Sequence, residues 1–340
     1  MATPSNSSSV ITTLGIISTL LFLSLHPTAV CYGNLGNNLP SPQNVVNLYK
    51  SNGIRAMRLF APDQAALQSL QGSGIRIILD VPRDKLQSIG SDQNAANQWV
   101  QSNVVPFASS IKYIAVGNEV HASHQEASSV QPAMQNILNA LNSNNLVGGQ
   151  IKVSTAIDTT LITNSFPPSN GQFTDMSYIT PIINFLTRNN SPLLVNVYPY
   201  FAYTNNKQSI SLGYALFTSS STVVTDWNNG LQYQNLFDAI LDAVYAALGR
   251  AGAPNTPIVV SESGWPSDGG DAATVDNAGT YCRNLISHVK KGTPLKSGKE
   301  IEAYLFAMFD ENNKQGATTE QHFGLFTANQ QPKYGQLNFS

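Results

Sequence analysis

The distribution of apolar residues along the chain predicts eight β-strands. Most of the candidates are continuous apolar runs without clean alternation, which is typical of strands covered by helices outside and packed side chains inside. Eight is the number of strands that a closed parallel barrel requires. The candidates are Val30 to Gly33, Ile54 to Phe60, Ile75 to Val81, Ile111 to Val120, Ile151 to Ile157, Leu193 to Tyr200, Pro257 to Trp265 and Ile301 to Phe309.

Helical periodicity fills several of the intervals between these strands. The clearest stripe runs from Phe237 to Leu248 and ends at Gly249. A second stripe, from Val130 to Leu141, includes Pro132, which a helix tolerates only near its start. The remaining predicted helices are Pro42 to Ser51, Pro62 to Leu70, Asn94 to Phe107 and Ala272 to Val289.

The alternation of strands and helices is typical of an α/β fold, and the strand count favours a (β/α)8 TIM barrel. A doubly wound open sheet is the alternative, although no glycine-rich phosphate loop follows the first strand. The chain contains no internal repeat and no linker rich in Pro, Gly or Ser. We therefore predict a single domain.

The first 29 residues resemble a secretory signal. An apolar run from Val10 to Leu25 is followed by the small residues Thr28 and Ala29. A membrane anchor is the rival interpretation, because no Lys or Arg precedes the run, but the run is shorter than the roughly 20 residues of a membrane span. We predict a signal peptide over residues 1–29 and a barrel over 30–340. The mature protein is expected outside the cell, in the apoplast, or alternatively in the vacuole, as a monomer without stable membrane association.

Composition narrows the choice of partners. Only 11% of the 340 residues are charged and the formal net charge is -2, so no basic surface is available to attract nucleic acid. Many neutral polar side chains suit a sugar polymer instead. Cys31 and Cys282 are too few for a disulfide framework, and we favour buried free thiols over a bridge between them. No His/Cys spacing resembles a metal site. His121 and His124 follow the fourth strand, and we favour exposed loop positions for them over positions in the cleft.

Carboxylates follow two of the predicted strands at the end where a parallel barrel builds its active site. Glu119 ends the fourth strand and Glu262 the seventh, on opposite sides of the barrel. Glycosidic hydrolysis requires a proton donor and an anion on either side of the anomeric carbon. A separation of roughly 5 Å gives retention of configuration, and a wider gap gives inversion. Each glutamate alone is more simply interpreted as a structural polar residue, whereas the pair favours catalysis.

Five motifs together resemble plant glycoside hydrolase family 17. They are Val-Gly-Asn-Glu-Val at Glu119, Ser-Glu-Ser-Gly-Trp-Pro-Ser at Glu262, Cys31-Tyr32-Gly33, Asn196-Val197-Tyr198-Pro199-Tyr200-Phe201 and Phe306-Ala307-Met308-Phe309-Asp310-Glu311-Asn312. The similarity extends from about Val30 to Phe339. It implies a retaining endo-β-1,3-glucanase that acts on callose or fungal wall glucan and needs no metal or cofactor. It also implies that Glu119 is the proton donor and Glu262 the nucleophile, with a covalent glycosyl-enzyme intermediate.

Candidate substrate-binding residues accompany the two glutamates. Aromatic faces suit glucose rings, and Asn118 could bond the 2-hydroxyl group of the sugar. The acidic members of the set are given supporting roles only, and a structural hydrogen-bond network with Lys299 or Lys314 is an equal alternative for them. The predicted binding residues are Tyr32, Asn118, Tyr198, Trp265, Glu302 and Glu311.

One segment departs from the family pattern. Phe60-Ala61-Pro62-Asp63 stands where the family often has Tyr-Asp-Pro, so a hydroxyl and a carboxylate are missing and the sugar contacts of this loop are in doubt. Two further functions stay open at this stage: hydrolysis of mixed-linkage 1,3-1,4-glucan, and a barrel that binds glucan without cutting it.

Overall fold

Eight parallel strands close a barrel in the computed structural model, which describes residues 28–146 and 151–339. Each strand pairs with the next along the chain, and the last pairs with the first. The strands are β1 Thr28–Tyr32, β2 Ala56–Leu59, β3 Arg76–Val81, β4 Ile111–Asn118, β5 Lys152–Asp158, β6 Leu193–Asn196, β7 Ile258–Ser263 and β8 Ala303–Leu305. The predicted (β/α)8 barrel is confirmed, and the open doubly wound sheet is excluded.

Helices connect the strands across the outer surface. They are α1 Pro42–Ser51, α2 Gln64–Leu70, α3 Leu86–Ser91, α4 Gln93–Asn103, α5 Ala127–Ser143, α6 Met176–Arg188, α7 Pro199–Asn205, α8 Leu212–Ala215, α9 Leu236–Arg250 and α10 Val275–His288. Single 3-10 turns occur at Arg83–Lys85, Val105–Phe107, Thr159–Leu161, Pro168–Asn170 and Thr318–Gln321. Two short hairpins join Ile162–Thr163 to Gln172–Phe173 and Val224–Thr225 to Gln232–Tyr233. No helix among the described residues is long and apolar enough to cross a membrane.

The observed elements differ from the predicted ones at several points, among them the end of one strand and the presence of one helix. The sixth strand ends at Asn196 rather than Tyr200, because Pro199 begins helix α7. Helix α6 was not predicted; it contains Pro181, and a proline in an apolar pattern argues against a helix by sequence rules. The helix predicted from the stripe between Val130 and Leu141 is confirmed as α5. Pro132 lies inside it, in its first two turns.

Strand side chains alternate between the barrel interior and the layer of helices. One buried cluster fills the interior and includes Cys31, Ile78, Tyr113 and Tyr304. A larger cluster lies between strands and helices. Cys31 and Cys282 are both buried and free, as expected, and burial raises the pKa of both thiols. Their reactivity is low as a result.

Strand β1 begins earlier than the predicted signal boundary. Thr28 pairs with Ala303 and Ala29 with Tyr304, so both residues belong to the barrel sheet. Both are buried. The rest of the predicted leader, residues 1–27, lies outside the described residues.

Candidate active site

The two strands that position the candidate catalytic glutamates, β4 and β7, are both irregular near their carboxyl ends. In β4 the pairing with β5 shifts between Ala115 and Asn118, and the backbone then passes through Gly117 at φ 85° and Glu119 at φ 52°. A positive φ is unfavourable for a residue with a side chain, and such strain is concentrated at functional sites. The shift directs Asn118 and Glu119 into the cleft at the rim of the barrel.

A second irregularity places Glu262. Along β7, Val260 pairs with Val195 and Glu262 with Asn196, so β7 contains one residue more than β6 over this interval. An extra residue of this kind is a β-bulge, which bends the strand and turns a side chain toward a new direction. Ser261 stays buried while Glu262 faces the cleft.

The side-chain amide of Asn196 joins the two glutamates. Its Nδ2 lies 2.8 Å from Glu119 Oε1 and 3.0 Å from Glu262 Oε1, and also 3.0 Å from Asn118 Oδ1. Its Oδ1 accepts hydrogen bonds from Ser261 Oγ at 2.7 Å and Arg58 Nη1 at 3.2 Å. Because donors face the oxygen and acceptors face the nitrogen, the orientation of this amide is determined by its partners.

Glu262 accepts more hydrogen bonds than Glu119. Arg58 Nη1 donates to its Oε1 at 2.8 Å and Tyr198 Oη to its Oε2 at 2.7 Å, in addition to Asn196. For Glu119, Asn196 is the one side-chain donor found among the described residues. Hydrogen bonds to a carboxylate favour its charged form, so the donors favour the negative charge on Glu262.

Burial acts on both carboxyl groups in the opposite sense. It raises the pKa of Glu262, helped by the charge of Glu119 and opposed by Arg58 and Tyr198. Burial also raises the pKa of Glu119, where the bond from Asn196 opposes the change and the charge of Asp158 adds to it. Two buried carboxyls that share one donor resist double ionisation. Loss of the second proton is therefore disfavoured, and the donor count favours Glu119 as the carboxyl that keeps it.

A buried ion pair supports this arrangement from inside the barrel. Arg58 is 0% exposed and donates to Asp80 through Nε at 3.1 Å and Nη2 at 2.7 Å. Its Nη2 also donates to Asn118 Oδ1 at 3.0 Å. Neither Arg58 nor Asp80 was among the residues predicted from the sequence. The available signal was a charge in the second half of each of two adjacent apolar strands, since charges are rarely buried unless they are paired.

The residues predicted to bind substrate fall into two groups. Tyr32, Asn118, Tyr198 and Glu311 line one cleft together with both catalytic candidates, and the volume of this cleft is about 840 Å³. The unusual segment from Phe60 to Asp63 lines it as well. The substitutions in that segment therefore change the surface that faces a bound sugar.

Glu311 lies directly against the residues that follow the first strand. Its backbone-facing Oε1 accepts from the amide of Leu35 at 3.1 Å, and a Cβ added to Gly33 would lie 2.2 Å from the same oxygen. Glycine in the Cys31-Tyr32-Gly33 motif is thus required by close contact. Lys314 pairs with Glu320 at 2.9 Å rather than with Glu311, and its ammonium group lies 4.5 Å from the ring centre of Phe306.

Two predicted binding residues lie outside the cleft. Trp265 is 1% exposed, donates from Nε1 to the carbonyl of Ala272 at 2.9 Å, and packs against Tyr200 with ring centres 5.0 Å apart. Its side chain is enclosed by other aromatic rings, so it presents no face to a sugar. The sequence position after a strand does not specify the direction of a side chain once a bulge has intervened.

Glu302 lies at the opposite end of the barrel. It immediately precedes β8, and the active-site rim is formed by the residues that follow the strands. Its carboxylate accepts from Lys112 at 2.7 Å and from the hydroxyls of Tyr113 and Tyr304 at 3.1 Å each. Glu302 therefore does not line the cleft with the other predicted binding residues, and its partners form a structural network.

His121 was predicted to be an exposed loop residue, but its side chain is partly buried. Its Nε2 lies 2.6 Å from Asp158 Oδ2, and both side chains are partly buried. The other carboxylate oxygen of Asp158 accepts from the amide and hydroxyl of Thr160. Since Asp158 lines the cleft, this pair places a second acidic group near Glu119.

The fold and the site define a class of protein. Two carboxylates from opposite strands face one another at the carboxyl-terminal rim, in a cleft lined with tyrosine, phenylalanine and neutral amides. No cluster of His, Cys, Asp and Glu able to hold a metal is found in the parts of the chain that the structure describes. This arrangement is that of a (β/α)8-barrel glycoside hydrolase.

Comparison with known proteins identifies the family. Residues 28–339 match the glycosyl hydrolases family 17, and the chain belongs to this family. A glucan endo-1,3-beta-glucosidase of Vitis vinifera is 58% identical over 332 residues, covering 96% of this chain and 95% of the relative. The acidic isoform GI9 of the same enzyme from Nicotiana tabacum is 51% identical over 335 residues, covering 96% and 94%.

A solved structure agrees with this assignment. A beta-1,3-glucanase and allergen of Cryptomeria japonica pollen superimposes with a TM-score of 0.88 at 47% identity, covering 92% of this chain and 99% of that one. Both the family resemblance and the enzymatic class expected from the sequence are confirmed.

Replacing Arg58 tests the buried ion pair. In Arg58→Met, Asp80 and Glu262 lose their common cation, and we expect a loss of roughly 3–5 kcal/mol in the free energy of unfolding. Asp80→Asn should cost less, because Arg58 keeps its bond to Glu262. Urea denaturation measures both variants. Equal stability of Arg58→Met and the wild type would contradict a supporting role for the pair.

The charge of Asp158 is expected to contribute to the raised pKa of Glu119. Neutralising it in Asp158→Asn removes one cause that raises the pKa of Glu119, so this carboxyl should lose its proton at a lower pH. A 13C NMR titration of the glutamate carboxyl groups measures the change. The matched control is Asp63→Asn, which removes a carboxylate whose charge acts on Tyr32 and should leave the pKa of Glu119 unchanged. An asparagine at this position can still cap α2. An unchanged or higher pKa in Asp158→Asn would refute the expectation.

Proposed function

We propose that this chain is a secreted endo-β-1,3-glucanase that cuts its substrate with retention of configuration. One observation supports retention above all. The same nitrogen of Asn196 contacts Glu119 Oε1 at 2.8 Å and Glu262 Oε1 at 3.0 Å, so these two oxygens are separated by no more than the sum of the two distances. That limit agrees with the separation of about 5–5.5 Å in retaining glycosidases and lies below the roughly 6.5–9.5 Å of inverting ones.

The roles of the two glutamates follow from their partners. Glu262 is the nucleophile, because Arg58, Asn196 and Tyr198 stabilise its anion and hold it in one orientation. Glu119 is the acid, because burial and the nearby charge of Asp158 favour its protonated form.

The reaction then proceeds in two steps. Glu119 gives its proton to the glycosidic oxygen while a carboxylate oxygen of Glu262 bonds to the anomeric carbon, and the carbon–oxygen bond to the leaving chain breaks. Glu119, now ionised, accepts a proton from water as that water attacks the same carbon and releases Glu262. Two inversions at one carbon restore the β configuration.

Neighbouring side chains position the sugar. Asn118 accepts bonds from Arg58 and Asn196 through its oxygen, which leaves its NH2 group to donate to the 2-hydroxyl of the reacting glucose. Tyr32 and Tyr198 add aromatic surface, and Glu311 adds an acceptor for sugar hydroxyls.

The 1,3 linkage is supported by the names of the relatives, which are glucan endo-1,3-beta-glucosidases at 58% and 51% identity. Callose and fungal wall glucan are the substrates that we propose. A barrel that binds without cutting is disfavoured, because both carboxylates are present and share one amide.

Two variants and one stereochemical assay test the mechanism. Glu262→Gln should abolish release of reducing ends from laminarin, since an amide cannot attack the anomeric carbon. Glu119→Gln should lose about 10²–10⁴-fold on laminarin and much less on an aryl glucoside with a good leaving group. Proton NMR of the early products should show the β-anomer first.

Glu302→Gln is the matched control, because it changes a carboxylate of the same barrel that lies outside the cleft. It should keep wild-type activity. Substantial turnover by Glu262→Gln, or the α-anomer as first product, would overturn the mechanism.

Secretion is proposed from the apolar leader, with a boundary adjusted by the structure. Because Thr28 and Ala29 are buried in β1, we expect cleavage to leave both in the mature chain. Amino-terminal sequencing of protein recovered from extracellular fluid should find the first residue at or before Thr28. Recovery from the vacuole alone would favour the other location, which the name of one relative, a basic vacuolar isoform of Nicotiana tabacum, suggests.

A further inference from the structure

Two large aromatic side chains stand exposed together outside the cleft. Phe166 and Trp227 are each 65% exposed, and their rings meet edge to face with centres 5.5 Å apart and planes inclined at 73°. Phe166 lies in the loop between β5 and α6, and Trp227 lies in the hairpin between α8 and α9. We call them the aromatic pair. Large exposed apolar groups that lie together are typical of binding surfaces.

Hydrogen bonds hold the two loops in register beneath the rings. Asp226, the neighbour of Trp227, accepts from the amide of Ser169 at 2.8 Å and from its hydroxyl at 2.9 Å. Asn228, on the other side, donates to Ser169 Oγ at 2.8 Å and to Asn170 Oδ1 at 3.0 Å. Loops held in this way lose little additional conformational entropy when a ligand binds to them.

The loops are also anchored to the barrel. A Cβ added to Gly171 would lie 2.2 Å from the carbonyl oxygen of Ala243, so this backbone rests directly on α9. Arg250 at the end of α9 donates to the carbonyl of Ser169 at 3.0 Å. The aromatic pair thus lies on the outer surface beside α9, and neither ring lines the catalytic cleft.

The surroundings of the pair are almost free of charge. Residues 159–174 and 219–234, which form the two loops, contain Asp226 as their single charged residue, and it is 0% exposed. The exposed Arg250 adds one positive charge beside these loops. A surface with so few charges complements an uncharged polymer and lacks the basic cluster that would attract phosphate or anionic lipid.

We propose that Phe166 and Trp227 form a second carbohydrate-binding surface, which holds a chain of β-glucan while another part of the same polymer occupies the cleft. This inference rests on the proposed function. The C–H face of a glucose ring packs on an aromatic ring. The side-chain oxygen of Asn228 and the side-chain nitrogen of Asn229, next to Trp227 in the chain, supply partners for hydroxyls, since the other polar atoms of these amides bond within the loops. Because the rings form a corner and not a flat plate, the ligand is a single chain, not a crystalline sheet.

A second copy of the protein fits this surface less well. Aromatic side chains bury about 150–250 Å² each, so two of them supply well under the roughly 800 Å² that each partner of a stable interface contributes. A polysaccharide needs no such area, because one chain can occupy the surface and the cleft simultaneously and gain from linked binding.

Sedimentation with insoluble β-1,3-glucan tests the proposal. Trp227→Ala should weaken binding about tenfold, the usual effect of removing a central aromatic contact, and the double variant with Phe166→Ala should weaken it further. Hydrolysis of the insoluble polymer should fall at low substrate, whereas hydrolysis of a short soluble laminari-oligosaccharide should be unchanged.

Val275→Ala is the control for loss of an exposed apolar side chain, since Val275 is 50% exposed on α10. Cellulose is the control polymer, and unfolding midpoints establish that every variant is folded. Unaltered binding of the double variant to the glucan would overturn the proposal. The proposal would also be overturned, in favour of a second copy of the protein, if the wild type formed an oligomer that these substitutions dissociate.

Failure of the underlying function gives a different result. In that case the wild type itself would not cut the soluble oligosaccharide, whatever the effect of Trp227→Ala on binding. If the wild type cuts the soluble oligosaccharide normally and the substitutions do not change binding to the insoluble glucan, only the second binding surface is rejected and the proposed function stands.

Discussion

A guanidinium group enclosed by the barrel is the interaction on which the site depends. Arg58 reaches Asp80 on one side and Glu262 on the other, and it also contacts Asn118 and the amide of Asn196. A buried charge is tolerated only when its hydrogen bonds and counter-charges are complete. Three of the partners that satisfy Arg58, namely Asn118, Asn196 and Glu262, line the candidate cleft, so stability of the interior and orientation of these side chains have one cause.

The regular barrel is interrupted where chemistry is required. A continuous strand would send successive side chains to opposite faces, and the shifts near Gly117 and Ser261 break that rule at the ends of β4 and β7. Both glutamates then approach the amide of Asn196 from facing strands. Because the donors are distributed unequally between them, the surroundings favour the charged form of Glu262 more than that of Glu119.

Our two proposals place catalysis and polymer binding on different parts of the fold. The rim residues are held by strands and by a buried network, whereas the aromatic pair is carried by two loops anchored on α9. Strands position reacting groups within tenths of an ångström, and loops tolerate changes of sequence without altering that rim. New binding surfaces can arise in such loops while the reaction remains the same.

The sequence by itself predicted the strands, the helical stripes and the two strand-end glutamates, because these are local patterns that the fold preserves; closure of the sheet was decided by the tertiary structure. It did not determine which side chains meet. Arg58 and Asp80 gain their role from contacts across the barrel, and Glu302 and Trp265 lose theirs because chain direction and bulges decide which way a side chain points. The pairing of Phe166 with Trp227 joins loops 61 positions apart, a contact that only tertiary structure creates.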